Sequence, residues 1–393
     1  MPCPYRIKIN NCYYCGKRIP LGCSPVVCPF GRKVWKSLVL NDYQTEKVWY
    51  VNEEKAKLEA DPELIFKLCK KDGGYMIKQI KYRFHGHDRI YRLKAGEIKR
   101  DTFERAKALT YFFDIEEKEE GKGGKIAIID SGIKSYQKVN IISLGSSAYD
   151  DENHGSIIVD VIKSLVPEAD ITMIKLPGHE FFDADIISAL EEARKRNVHA
   201  INLSIQSESP SDGKDPVSIY VNHLAELGIV TCIAAGNGGP ASMTVGSPGA
   251  AEWALTVGGV NTVGKVMRWS SRGPTLDRRI KPDLSAPAQY VFGDYYLRGT
   301  SFAAPFATAL SCVVNRDVGH AKITQRLISL SSSPFPEFYY TANKKKALLG
   351  LKKHIDIRNI GGYGILNAVR AIEWALLFKS QNNKLDNHEE NEK

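Results

Sequence analysis

From residue 125 onward, short apolar runs alternate with segments of helical period. Residues 125–130 form an apolar run that ends in a carboxylate, and 157–166 read as an apolar helix. Strands are expected at 171–176, 200–205, 229–235 and 253–260, and helices at 183–196, 217–227 and 306–314. A last helix should follow Ala368. Continuous apolar strands separated by amphipathic helices predict an α/β fold, a doubly wound and mostly parallel sheet.

The first 120 residues follow a different pattern. Strands are expected at 33–40 and 48–51, a helix at 53–71, and a half-buried alternating strand at 75–84. A short strand at 90–93 would pair with the last across the turn at 85–88, and a second helix would span 101–113. The charged, then Gly-rich stretch 116–124 reads as an exposed linker. The expected division is a Cys-rich segment at 1–30, a small basic α+β domain at 31–120, a main domain at 121–376, and a polar, disordered tail at 377–393.

Composition changes this picture in three places. Apolar residues make up 43% of the 393 positions, enough for a full core. No apolar run reaches about 18 residues, so no membrane span is expected. The first residues lack the apolar centre of a signal peptide, which gives a cytoplasmic expectation. The net charge is +9, and residues 1–120 carry most of it, with 24 Lys and Arg against 17 Asp and Glu. A solvated basic surface explains that, and an acidic partner or nucleic acid remains open. Five of the 8 Cys fall in the first 28 residues. Cys12 and Cys15 are spaced C-x2-C before a Gly, and Cys23 and Cys28 could complete a four-thiolate structural zinc site. Free or redox thiols and disulfides remain alternatives.

Candidate chemistry lies in the main domain. Ser301 follows a Gly-Thr turn and precedes a run of small residues, with Pro305 where a first helical turn would fall. It would stand near a helix N-terminus, where backbone N–H groups favour a developing negative charge. Asp130 ends a buried strand, and His154 opens an apolar helix. All three sit at element ends, where a parallel α/β sheet places its ligands.

Those motifs, Ile129-Asp130-Ser131-Gly132, Asn153-His154-Gly155-Ser156 and Gly299-Thr300-Ser301, resemble the subtilases, the subtilisin-like serine proteases. The resemblance covers roughly residues 121–376. It implies that Ser301 is the nucleophile, His154 the base and Asp130 its orienting partner, with Asn237 donating to the oxyanion. Substrate would lie extended beside Ser204, Ile205 and Gln206. Ala234, Ala235 and Gly236 would line a pocket with room for a sizeable apolar side chain. No cofactor is implied for catalysis. Only residues 157–166 separate the His154 motif from Pro167, so the calcium loop that many secreted subtilases carry there is not expected. Gln206 stands where Gly is common and should narrow the groove. The expected function is an intracellular processing or regulatory endopeptidase acting on peptides or proteins. The competing readings are a vestigial subtilase-fold binding protein and a protease targeted by a nucleic-acid- or partner-binding N-terminal domain. An inhibitory propeptide at 1–120 competes with a retained adaptor, and retention is the expectation.

Overall fold

The computed structural model describes residues 88–92, 102–112, 122–134, 139–145, 147–178, 180–335 and 356–391, together with five short strands nearer the N-terminus. Those strands are β1 (Arg6–Ile9), β2 (Cys12–Cys15), β3 (Lys47–Tyr50), β4 (Met76–Gln79) and β5 (Lys81–Arg83). β1 pairs antiparallel with β2, and β3 with β4. The C-x2-C segment Cys12–Cys15 is strand β2. Cys23 and Cys28, the strand at 33–40 and the helix at 53–71 lie outside the described residues.

Among the described residues the main sheet has nine strands. They are β6 (Arg89–Arg92), β7 (Lys125–Asp130), β8 (Asn140–Ser143), β9 (Asp170–Lys175), β11 (Ala200–Leu203), β12 (Val230–Ala234), β13 (Ala254–Asn261), β14 (Leu284–Phe292) and β15 (Tyr295–Arg298); β10 (Glu180–Phe182) lies outside it and pairs with β5. Their order is β6-β15-β14-β13-β12-β11-β7-β9-β8. Pairings from β8 to β14 are parallel, and β15 and β6 add an antiparallel edge. β7 forms because both faces are covered: five of its six residues are buried, and only the first, Lys125, is exposed. Burial of a side chain such as Ile126 or Ile128 contributes about 1.5–3 kcal/mol.

Helices α1 (Phe103–Leu109), α2 (His154–Leu165), α5 (Ala304–Val318), α6 (Ala321–Leu330) and α7 (Ala368–Asn391) contribute to the core on one face. α3 (Asp183–Lys195) and α4 (Pro216–Glu226) build the core on the other. The chain lays β9 on one side of β7 and then crosses to place β11 on its other side. Strand order therefore reverses at β7, which opens a crevice at the carboxyl ends of β7 and β11.

Three expectations are corrected. The strand near 90–93 does not pair with the strand at 75–84. It pairs antiparallel with β15, Arg89 opposite Arg298 and Arg92 opposite Tyr295. The boundary at residue 120 does not isolate what precedes it. α1 buries Phe103 and Ala106 in the main core, Phe103 lies 4.8 Å from the Phe292 ring and 5.9 Å from Phe306, and the Val291 amide donates to the Thr102 hydroxyl at 2.8 Å. The tail expected to be disordered from 377 continues α7 to Asn391. Polarity does not remove helix propensity, and extending an anchored helix costs far less than nucleating one.

Candidate active site

Asp130 is the last residue of β7 and is fully buried. Its Oδ1 accepts the Ser131 amide at 2.7 Å and faces His154 Nδ1 at 2.7 Å. That contact fixes which imidazole nitrogen faces inward and leaves Nε2 toward Asp88.

His154 opens α2 and is also fully buried. A second carboxylate, Asp150, clamps this helix start to the end of β7. Asp150 Oδ1 accepts the Ser131 hydroxyl at 2.8 Å, and its Oδ2 accepts the Ser156 amide at 2.8 Å and the Ser156 hydroxyl at 2.5 Å. The Ser131 hydroxyl in turn accepts the Gly155 amide at 2.9 Å. An otherwise orphaned N–H of the first helical turn is thereby satisfied and the ring is held in place. α2 continues unbroken to Leu165, and β9 begins at Asp170, so helix fills the interval after His154.

Ser301 lies in a single 3-10 turn, Thr300–Phe302, between β15 and α5. Its carbonyl accepts the Ser204 hydroxyl at 3.0 Å, and the Tyr290 hydroxyl holds the Phe302 carbonyl at 2.9 Å. Asn237 follows β12. Its Oδ1 accepts the Thr300 amide at 2.9 Å. A backbone N–H can only donate, so this bond fixes the side-chain amide with Nδ2 toward Asp88.

Another carboxylate occupies the centre of this constellation. Asp88, immediately before β6, is buried. The Ser301 hydroxyl donates to its Oδ2. Asn237 Nδ2 donates to its Oδ1 at 2.7 Å, and His154 Nε2 stands 3.6 Å from Oδ2. Burial alone would push the His154 imidazole down. The charges and hydrogen bonds of Asp130 and Asp88 outweigh it and raise the pKa to about 10, so the ring is an imidazolium at neutral pH.

Two segments flank Ser301. One is 204–206, whose Ser204 carbonyl lies 3.3 Å from the Ser301 hydroxyl. The other is 234–236, whose Gly236 amide donates to the Thr300 hydroxyl at 2.9 Å. Ile205, Ala234 and Ala235 are buried. The room expected over Gly236 is taken: a methyl group there would stand 1.5 Å from Gln206 Nε2 and 2.0 Å from its Cδ. Gln206 Oε1 is buried and makes no hydrogen bond among the described residues. Also among those residues, no cluster of three or more His, Cys, Asp or Glu is arranged to hold a metal ion, and no helix is long and apolar enough to cross a membrane.

The subtilase family model matches residues 121–326, just over half of the chain. The chain belongs to the subtilase family. Among its relatives it is 27% identical over 252 residues to the serine protease AprX of Bacillus subtilis, which aligns over 49% of this chain and 57% of AprX. It is 28% identical over 214 residues to subtilisin BL of Lederbergia lenta, covering 50% of this chain and 77% of that protein. It thus spans little more than half the length of AprX. Among solved structures, MycP1 from the ESX-1 type VII secretion system superimposes with a TM-score of 0.54 at 16% identity, over 72% of this chain and 91% of that one, a likeness of fold.

As a subtilase, the chain gathers Asp130, His154, Asn237, Ser301 and the two flanking segments at one crevice. Asp88 and Asp150 escaped sequence reasoning. Asp150 had a legible signal, an acid just before a helix start. Asp88 had none, because its turn reads as surface and only the β6–β15 pairing carries it to Ser301.

Proposed function

We propose that this subtilase is a serine endopeptidase, with Ser301 as nucleophile, His154 as base, Asp130 as its orienting partner and Asn237 as oxyanion donor. The observation that carries the reading is the convergence of these four side chains from β7, α2, the turn after β12 and the turn before α5. With neutral His154 and an open site, Ser301 Oγ adds to the scissile carbonyl carbon while its proton passes to His154 Nε2. Asp130 stabilises the imidazolium through Nδ1–H. The oxyanion accepts from Asn237 Nδ2 and the Ser301 backbone N–H. The C–N bond then breaks, and the proton on Nε2 goes to the departing amine. Water repeats the sequence at the acyl carbon and frees Ser301. A fluorophosphonate probe should add one adduct mass to the wild-type chain and none to Ser301→Ala. Labelling of Ser301→Ala to the same extent would remove the assignment.

The side chain before the scissile bond would enter between 204–206 and 234–236. Gln206 bridges that slot, so the preferred residue is small, and one bearing a donor could satisfy Gln206 Oε1. A narrowed slot favours selective processing over bulk digestion. Gln206→Gly should raise kcat/KM for peptides with Phe or Leu at that position by about tenfold or more, with little gain for Ala or Ser. Equal gains across all side chains would show that Gln206 does not set the preference.

Retention of the N-terminal region remains the preferred reading. It is supported by β6 in the main sheet and Phe103 in the main core. Purified wild-type and Ser301→Ala chains should have equal intact masses. A wild-type chain starting near residues 113–125, beside an uncut variant, would establish self-processing instead.

A further inference from the structure

The Asp88 carboxylate occupies the space in which the reaction builds its oxyanion. One of its oxygens accepts a hydrogen bond from the Asn237 amide, and the other accepts one from the Ser301 hydroxyl. Both groups are thereby committed before any peptide arrives. A carbonyl oxygen entering the same space would meet a carboxylate instead of donors. The arrangement is that of an enzyme holding the acid half of its own product, except that the acid belongs to the chain.

We propose that Asp88, carried by β6, is an in-chain latch that keeps the site closed until the segment moves off the edge of β15. This inference rests on the serine-peptidase reading and adds a control to it.

Three features build the latch. First, β6 pairs with β15, the strand that runs directly into Gly299, Thr300 and Ser301. Arg89, the residue after Asp88, stands opposite Arg298, three residues before the nucleophile. The register that seats Asp88 is thus set by the strand that presents Ser301. Second, Gly299 leaves the seat vacant. A methyl group there would stand 1.6 Å from Asp88 Oδ1, so any larger residue would expel the carboxylate. Third, among the described residues β6 is the terminal strand of the sheet, held by one ladder of four residues. Releasing it leaves the remaining eight strands paired. Upstream, β5 pairs with β10, so the latch is pinned on both sides of Asp88.

Electrostatics act in the same direction. Among the described residues, Asp130 from β7 and Asp88 at the head of β6 are titratable groups that face His154, and the Phe302 ring packs beside it at 5.5 Å. With both carboxylates in place the ring holds its proton through neutral pH and cannot accept one from Ser301. Removing the Asp88 charge lowers the pKa of His154, so the pH at which the base becomes available falls.

The test uses the full chain as Asp88→Asn, which keeps shape, and Asp88→Ala, which empties the seat. The rate of Ser301 labelling by a fluorophosphonate and kcat/KM for an Ala-containing peptide are measured from pH 5 to 11, with thermal melting as the check on folding. Both folded variants should label and turn over at least tenfold faster than wild type at neutral pH. Their ascending limb should lie at lower pH. Unchanged or slower labelling would overturn the latch. A fall in turnover in both variants would instead make Asp88 a participant, donating from its protonated form to the oxyanion. Absence of labelling in wild type and both variants would remove the peptidase reading itself. If Asp88→Ala does not fold, Asp88→Asn decides alone.

Discussion

Ser301→Ala should lower peptide hydrolysis by about a thousandfold or more while the chain stays folded. The substitution removes one oxygen from a turn whose backbone is held by other groups: the Ser204 hydroxyl on the Ser301 carbonyl, the Tyr290 hydroxyl on the Phe302 carbonyl and Asn237 on the Thr300 amide. No cavity large enough to collapse the turn is created. The measurement is best made in the Asp88→Asn background, so that closure of the site does not hide the loss. Asp130→Asn should cost a similar factor, because an amide facing His154 Nδ1 neither fixes the tautomer nor stabilises the imidazolium. Asn237→Ala should cost about a hundredfold to a thousandfold, the order known for this donor in a subtilisin, a member of the same family. Since Ser301 and His154 act as a unit, combining Ser301→Ala with His154→Ala should add little to either alone. Losses that multiply, or a Ser301→Ala chain that keeps a tenth of the activity, would mean that the hydrolysis has another origin.

Phe103→Ala should destabilise the main domain by about 3–5 kcal/mol. Phe103 is 3% exposed and sits among Tyr290, Phe292 and Phe306, with ring centroids at 5.6, 4.8 and 5.9 Å. Tyr290 and Phe292 belong to β14, and Phe306 to α5, the helix that follows the nucleophile turn. Truncation leaves a void bounded by strands and a helix with little freedom to collapse, which places the cost toward the upper part of that range. Urea unfolding followed by tryptophan fluorescence should give one transition with a lower midpoint. If α1 were instead part of a detachable domain, the main transition would keep its midpoint and a separate, weaker one would move.

The sequence by itself determined most of the sheet between residues 125 and 261. Runs such as 126–129, apolar throughout, and 230–234, interrupted only by Thr231, read as strands because both faces of a parallel strand are covered, and that pattern survives without knowledge of neighbours. Asp130, His154, Asn237 and Ser301 were legible for a related reason. Each stands at an element end, in a local motif whose residue types carry the chemistry within a few positions. The antiparallel edge was not legible. β6 and β15 are four residues each, too short for periodicity to name a partner, and a hairpin with the strand at 75–84 was the cheaper local pairing. The state of the site was decided only in three dimensions. Asp88 is 213 positions from Ser301, and nothing near it in sequence marks it as buried. Gln206 could be read as a bulky residue where Gly is common, but whether its side chain faced solvent or crossed to Gly236 depended on how β11 and β12 pair in register. A linear pattern records which faces are apolar. The meeting of a carboxylate, a hydroxyl and an amide from distant strands depends on sheet order, which only the packed chain fixes.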